Sequence, residues 1–472
     1  MRCSTADSTA RPVIRPLAVA VACLTLVLAP GAQLYAQGNP ADAANQAPLH
    51  ERHAGMGVTL EDFFLAAMDF SPSLKIAEER MNIGEARRRA ATGQLLPQVN
   101  ATANLSDNRQ RQVQGLSTYR GERYALQLRQ VLFNWAAFKE RSAAKLAEDQ
   151  IEAEYFEQLA VLLTDIAEKY FTVLQAKDAL RFNQSELEAV ELQLEQVQSM
   201  YDRQMIQVTD LYEVRARLAE VRAEQELLSS EVILAEEMLR AATGLSVGPL
   251  HELADVPELP AIEGQVDSWV TQARQNSHLV RAYELAVDIA DQRLSQQRST
   301  YMPNVSLVVQ QQRSDLGYDN VASPRTDTGY VAIDVTVPLF AGGSNRASVR
   351  EATSQRSIAS NELRQTQLDI SEQTRLTYLT LQSLERRIRA AEQVLESRQL
   401  SAVAQRRGFE LGTVTAVDVL QSTRDAFMAA RDLQAYRYQY LNTSLALRHF
   451  AGTLTADDLL AISETLVAPD GN

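Results

Sequence analysis

The chain has 472 residues, with 46 Lys and Arg against 60 Asp and Glu and a formal net charge of −14. So acidic a chain is poorly suited to nucleic acid, and its 2 cysteines cannot build a disulfide scaffold. Only 19 Gly and 14 Pro are spread over this length, which is the composition of long helices rather than of several compact domains.

Residues 1–36 read as a secretory signal: Arg2, Arg11 and Arg15 form a basic start and Leu17 to Ala29 an apolar core. About 13 apolar residues are too few to span a bilayer. Cleavage is expected after Ala36. Cys3 and Cys23 both lie in this segment, and Ala20-Val21-Ala22 before Cys23 is a weak match to a lipidation site. The remainder would then have no thiol and would be more acidic still. No other stretch is apolar for the 18 or more residues of a membrane helix, so any entry into a membrane must use strands.

Residues 37–57, with Pro40, Pro48, Gly55 and Gly57, read as irregular. A first repeat covers 58–247. Thr59 to Phe70 reads as a short helix, Ser71-Pro72-Ser73 interrupt it, and a second helix follows from Leu74 to Gly93. Strands are expected at 98–106 and 123–132, separated by a polar loop from Asp107 to Glu122. Val99, Ala101, Ala103 and Leu105 alternate with Gln98, Asn100, Thr102 and Asn104. Phe133-Asn134-Trp135 open a helical run to Tyr201, roughly 100 Å at 1.5 Å per residue. A return helix ends at Thr243-Gly244.

A Pro-rich linker occupies 248–263, and a second repeat covers 264–452. Strands are expected at 304–313 and 330–337 with a polar loop from Ser314 to Thr328. Val331, Ile333, Val335 and Val337 alternate with Ala332, Asp334 and Thr336, and Pro338 ends the ladder because it lacks an N–H. Gly342-Gly343 allow a sharp turn, and Ser344 is the expected N-cap of a helix reaching Arg407. A final helix runs from about Thr415 to Phe450, and 453–472 form a short, partly loose tail. Leu187, Val190, Leu194, Val197 and Tyr201, Leu211, Val214, Leu218 and Val221, and Leu381, Leu384, Ile388, Ala391 and Leu395 have heptad spacing. They read as seams of antiparallel coiled-coil pairs.

All four strands alternate apolar with polar or small residues, the pattern of a membrane wall around a wet lumen. Four strands cannot close a barrel, and open edges are excluded in lipid. Copies must therefore combine: two would give eight strands and three would give twelve. A soluble coiled-coil adaptor or scaffold of the periplasm fits the helices equally well but leaves the strands unexplained.

The two halves repeat. Phe133 and Phe340 are 207 positions apart, Pro97 and Pro303 are 206 apart, and Asp210 and Asp418 are 208 apart. The ordered set Leu95-Leu96-Pro97, Pro338-Leu339-Phe340-Ala341-Gly342-Gly343 and Leu411-Gly412-Thr413-Val414-Thr415-Ala416-Val417-Asp418 resembles the repeated signatures of the TolC family. These are the outer-membrane exit ducts of Gram-negative bacteria. The resemblance spans roughly 58–462 and implies a mainly α chain with a membrane β-barrel part. It further implies a homotrimer with a twelve-stranded barrel and a long antiparallel coiled-coil α-helical tunnel reaching into the periplasm. The implied function is a passive duct for efflux or type I secretion, with no enzymatic activity. Its implied partners are a periplasmic adaptor, an inner-membrane pump (RND, ABC or MFS) and outer-membrane lipid.

By the same resemblance the two hairpin turns, 202–210 and 408–421, are the periplasmic tips. Asp418, Gln421, Val414, Phe409, Thr209 and Asp210 are the expected gate residues. Arg203, Gln204, Met205, Leu411, Gly412 and Thr413 are the expected adaptor contacts. Phe133, Asn134, Pro338, Phe340, Gly342 and Gly343 make the strand-to-helix turns. Asp418 falls where three copies would form an inward acidic ring selecting against anions. It equally suits a carboxylate complementing a helix N-terminus. Gln421 stands where the type member has a second acidic ring, Val414 where it has a basic residue, Phe409 where it has Tyr, and Gln204 where it has Gly. A closure resting more on apolar contact than on salt bridges is therefore expected.

No catalytic set stands out. His50, His53, His251, His278 and His449 have no ligand spacing, there is no phosphate loop with a Lys, and no cofactor is expected.

Overall fold

The computed structural model describes residues 59–467 apart from 113–114, 255–256, 258, 317–321, 456–457, 459–461 and 464–465. The expected signal segment, both cysteines and all of the irregular 37–57 lie outside the described residues.

Helix α1 (Leu60–Phe70) starts in a capping box in which Thr59 and Asp62 bond each other's backbone N–H. Helix α2 (Pro72–Gly93) begins two residues earlier than the sequence suggests, because Ser71 caps it and Pro72 occupies the first turn. Strands β1 (Gln98–Gln112) and β2 (Gly115–Phe133) form a long hairpin. Helix α3 (Trp135–Asp202) has 68 residues and α4 (Val208–Thr243) returns beside it, ending at Gly244 with φ 71°. The linker contributes β3 (Glu252–Leu253). Helices α5 (Val266–Asn276) and α6 (His278–Arg298) and a single 3-10 turn precede β4 (Asn304–Leu316) and β5 (Ala322–Thr336). Helices α7 (Ser344–Glu410) and α8 (Ala416–Phe450) make the second long hairpin, and β6 (Leu466–Val467) in the tail pairs with β3.

Both expected polar loops are corrected. The strands continue through them to Gln112, Gly115, Leu316 and Ala322. A ladder is made by backbone groups, and polar side chains beyond a hydrocarbon layer pair as well as apolar ones within it. Ser344 is also corrected: Gly343, at φ 88°, occupies the N-cap, and the Ser344 hydroxyl donates to Ala341 O at 2.8 Å.

The main core lies around α1, the middle of α3 and the C-terminal parts of α4 and α8, where Phe63, Ile166, Tyr170, Phe171, Leu239 and Leu441 are almost wholly buried. The expected heptad seams form except at Tyr201, which is exposed: Val190, Val197, Leu211, Val214, Leu218 and Val221 share one cluster, and Leu381, Leu384 and Ile388 another.

Candidate functional site: a one-sided sheet and two helical tips

The four-stranded sheet has the order β1-β2-β4-β5, every pair antiparallel. Its register collects the apolar set on one face. Val99 lies beside Leu128, Leu128 beside Val309, and Val309 beside Val331. Val99, Leu105, Leu126, Val331, Ile333 and Val335 are between 47% and 70% exposed. The other face carries Gln98, Asn100, Gln127, Gln310, Thr328 and Asp334. There Ser306, Val308 and Ser314 are buried, so the sheet curls with its polar side concave.

The apolar band slants. Its outer limit is Leu105 on β1 but only Val331 on β5, whose row begins at Val99. That six-residue offset over three strand spacings corresponds to strands inclined by roughly 55°. Membrane barrels tilt their strands by roughly 35–45°, an inclination that brings the band most of the way to level. Edges β1 and β5 run in opposite directions and have no neighbour among the described residues.

At the foot of the sheet, the Asn134 side chain accepts from Ala137 N–H at 3.1 Å and starts α3. Phe133 is exposed there, and Pro338 lies just past the end of β5. Leu339 and Phe340 are 91% and 89% exposed, and Gly342 and Gly343 both have positive φ.

At the opposite ends of the helices the two turns have the same backbone. In the first, Gln204 is left-handed at φ 60°, and Met205 N–H reaches Met200 O at 2.9 Å. In the second, Gly412 is left-handed at φ 74°, and Thr413 N–H reaches Gly408 O at 2.9 Å. Each is a Schellman closure, and the paired positions repeat the 208-residue offset. Arg203, Gln204, Met205, Leu411, Gly412 and Thr413 are all exposed at these ends.

Asp418 sits in a capping box. Its carboxylate accepts from Thr415 N–H at 3.2 Å and from the Thr415 hydroxyl at 2.6 Å, and Asp418 N–H returns a bond to that hydroxyl. The Thr415 hydroxyl and then its backbone N–H hold the carboxyl below the usual carboxylate range. Asp210 lies in the corresponding first turn of α4, which has no side-chain cap, and Thr209 bonds Gln207 at 3.4 Å. Phe409 is 4% exposed in a cluster with Val197, Leu211, Val214, Ala416 and Val419, and Val414 packs against it. Gln421 bonds Asp425 at 2.8 Å, and Asp425 in turn meets Arg398 of α7.

One polar group escaped the sequence reading. Asp178, buried on α3, accepts from the Tyr438 hydroxyl of α8 and pairs with Arg181, which also reaches Glu252 of β3. Its position four residues after Leu174 on an apolar stripe was the available signal. Among the described residues no three His, Cys, Asp or Glu stand as a metal-holding group, and no helix is long and apolar enough to cross a membrane.

A sequence model described as outer membrane efflux protein matches residues 66–245 and 269–453, one stretch in each repeat. TolC of Vibrio cholerae is 27% identical over 384 residues, covering 79% of this chain and 85% of that protein. The alkaline protease secretion protein AprF of Pseudomonas aeruginosa is 26% identical over 436 residues, covering 88% and 89%. In fold, the chain is similar to the solved outer membrane protein VceC of Vibrio cholerae, with a TM-score of 0.72, 18% identity, and coverage of 83% and 96%. It is likewise similar to the MtrE outer membrane channel of Neisseria gonorrhoeae, with a TM-score of 0.68, 16% identity, and coverage of 84% and 91%. A one-sided apolar sheet at one end, twin helical tips at the other and a family match to both halves lead to one conclusion: the chain belongs to the outer membrane efflux protein family.

Proposed function

We propose that three copies of the chain close a twelve-stranded barrel in the outer membrane above a periplasmic α-helical tunnel. The assembly is a passive exit duct that serves an efflux pump or a type I secretion system. The observation that carries this is the outward apolar band in register on all four strands, bounded by two open edges that run in opposite directions. Hydrocarbon forbids unpaired edges, and β1 of one copy against β5 of the next restores an all-antiparallel ladder. Twelve strands leave a lumen where four or eight do not.

The tips act as the gate and as the docking site for a periplasmic adaptor, with an inner-membrane pump supplying the energy. Asp418 caps its helix and also faces the axis, so three carboxylates form a ring that favours cations. Phe409 and its apolar neighbours hold the tips together. The cargo class follows from whichever pump the adaptor recruits.

The test is single-channel recording in planar bilayers, with the molar mass of the detergent-solubilised protein measured by light scattering. A trimer with small, cation-selective openings is expected. A water-soluble monomer without conductance would return the chain to the periplasmic scaffold reading.

A further inference from the structure

The apolar face of the sheet ends at its foot in exposed Phe133, Leu339 and Phe340, and Trp135 after β2 and Tyr301 before β4 are exposed as well. Aromatics so placed mark the edge of a hydrocarbon layer. Directly below them the charge changes abruptly. In the two helical turns nearest the sheet, Arg87, Arg88 and Arg89 close α2, and Lys139 and Arg141 open α3. Arg293 and Arg298 close α6, and Arg346 and Arg350 open α7. Against these nine cations stands one acid, Glu140.

Two turns further on, the surplus is gone: Arg80, Lys145 and Arg356 there meet Glu85, Glu148, Asp288, Asp291 and Glu351. A chain of net charge −14 thus carries a positive collar about 10 Å deep, the length of two turns.

The four helices form one layer with a concave face. A cavity of about 360 Å³ takes its lining from all four, with Arg80, Glu154, Tyr283 and Glu362 on the same side. That side faces the lumen, as the concave polar side of the sheet does. At about 100° per residue, Arg141 lies roughly 140° round α3 from Glu154. Arg346 and Arg350 lie roughly 160° and 120° round α7 from Glu362, so all three point outward. Arg87 falls within about 20° of Arg80, Arg293 within about 20° of Ala286 and Glu140 within about 40° of Glu154, so these three belong to the lumen side.

The outward guanidinium groups are uncommitted. Arg141, Arg346 and Arg350 are exposed and, among the described residues, their side chains make no ion pair or hydrogen bond. Arg88 is taken by Glu148 and Arg89 by Glu85. What lies beneath a hydrocarbon border is the headgroup layer, roughly 5–8 Å on each side of a bilayer, within reach of long basic side chains in this collar. Guanidinium binds phosphate through paired hydrogen bonds, and basic residues at a bilayer surface attract anionic headgroups.

We propose that the collar binds anionic phospholipid of the periplasmic leaflet, with headgroup phosphates on Arg141, Arg346 and Arg350. The proposal rests on the outer-membrane barrel reading. It needs each protomer's outward face but not the number of protomers.

The test is native mass spectrometry of the detergent-solubilised protein, titrated with phosphatidylglycerol and with phosphatidylethanolamine of the same acyl chains. Preferential retention of phosphatidylglycerol, weakened by added salt, is expected. Arg141→Gln, Arg346→Gln and Arg350→Gln together should weaken it roughly 100-fold, about five-fold for each arginine. The matching Lys triple should retain most of it, and Arg87→Gln with Arg293→Gln on the lumen side should leave it unchanged. If the Gln triple fails to assemble, the comparison of the two lipids on the unaltered protein still decides. Equal retention of the two lipids, an unaffected Gln triple, or loss in the lumen-side pair would overturn the site. So would binding to isolated peptidoglycan that the Gln triple abolishes while lipid retention stays. The same spectra count protomers. A monomer that prefers phosphatidylglycerol in this way sinks the trimer and spares the collar, and a trimer without the preference does the reverse.

Discussion

The Tyr438 hydroxyl on α8 donates a 2.7 Å hydrogen bond to the Asp178 carboxylate on α3, 260 residues away in the chain. The bond ties the first repeat to the second inside the main core, where Tyr438 is 1% exposed. Arg181 continues it to Glu252, so the linker strand and the tail that pairs with it are held to the same point. Tyr438→Phe leaves the carboxylate buried without its donor, which costs about 1–3 kcal/mol. Urea unfolding followed by circular dichroism should show the lower midpoint, and an unchanged midpoint would mean that the bond contributes nothing.

The same pair makes stability depend on pH. Burial raises the Asp178 carboxyl above its ordinary value, although the Tyr438 hydroxyl and Arg181 pull it down. The folded chain therefore holds this proton more tightly than the unfolded chain does. Its contribution is complete below the ordinary carboxyl pKa and is lost as pH rises through the raised value. Asp178→Asn removes the titration and should flatten that fall in stability between acidic and neutral pH. Unfolding midpoints measured across this range decide it, since superimposable profiles for the two proteins would rule Asp178 out as the source.

At the tip, the cap formed by Asp418 and its proposed place in an acidic ring separate by substitution. Thr415→Ala removes the N-cap and should destabilise the start of α8 by about 1 kcal/mol, while the carboxylate and the cation preference remain. Asp418→Asn should lower the cation preference read from reversal potentials. The carboxyl is held low by Thr415, so its stabilisation is present above the ordinary carboxyl pKa and is lost as pH falls through the depressed value. Selectivity unchanged in Asp418→Asn would leave Asp418 as a helix cap alone.

Two glycines with similar backbones should respond to substitution to different degrees. Gly452 has φ +65°, and an added Cβ would lie 2.3 Å from Asn276 O, a backbone atom that cannot swing aside. Gly452→Ala should cost more than the roughly 1–2 kcal/mol of the left-handed conformation itself. Gly412 has φ +74° with open space around it, and Gln204 already occupies the matching position of the first tip. Gly412→Asn should therefore cost under about 1 kcal/mol, because Asn visits this region readily. Thermal unfolding of the two variants side by side is the check.

What the sequence made legible was what local patterns encode. The heptads from Leu187 to Val221 mark a real seam, and the alternation from Val331 to Val335 marks a real outward face, because burial follows their periods. The arms of the hairpins beyond Ser106 and before Arg123 were not legible. Strand pairing there is set by continuation of a backbone ladder, which side-chain polarity does not report. Tyr438 and Asp178 meet only through the packing of α8 on α3, so no spacing announces the pair. Gln204 hid a left-handed turn because propensity favours Gly there, and the 208-residue offset to Gly412 was the stronger clue. The cap at Gly343 was missed for the converse reason: Ser is the better capper, but the positive φ at that corner favours Gly.

Under the proposed gating role, apolar packing holds the tips shut. Phe409 comes from the end of α7 and is buried in one cluster with Val197 of α3, Leu211 and Val214 of α4 and Ala416 and Val419 of α8. That cluster spans the two hairpins and is not confined to one. The polar candidates nearby are committed elsewhere: Gln421 bonds Asp425, which is bridged to Arg398 within the second hairpin. Val414 joins the apolar cluster instead of offering a charge. If the duct opens by parting the hairpins at this level, the main cost of opening is exposure of that cluster. Phe409→Ala removes about 3–5 kcal/mol of packing and should raise open probability and mean conductance in planar bilayers. Gln421→Ala should leave both near the parent values. The reverse pattern, a leaky Gln421→Ala and a tight Phe409→Ala, would assign closure to the polar network on α7 and α8.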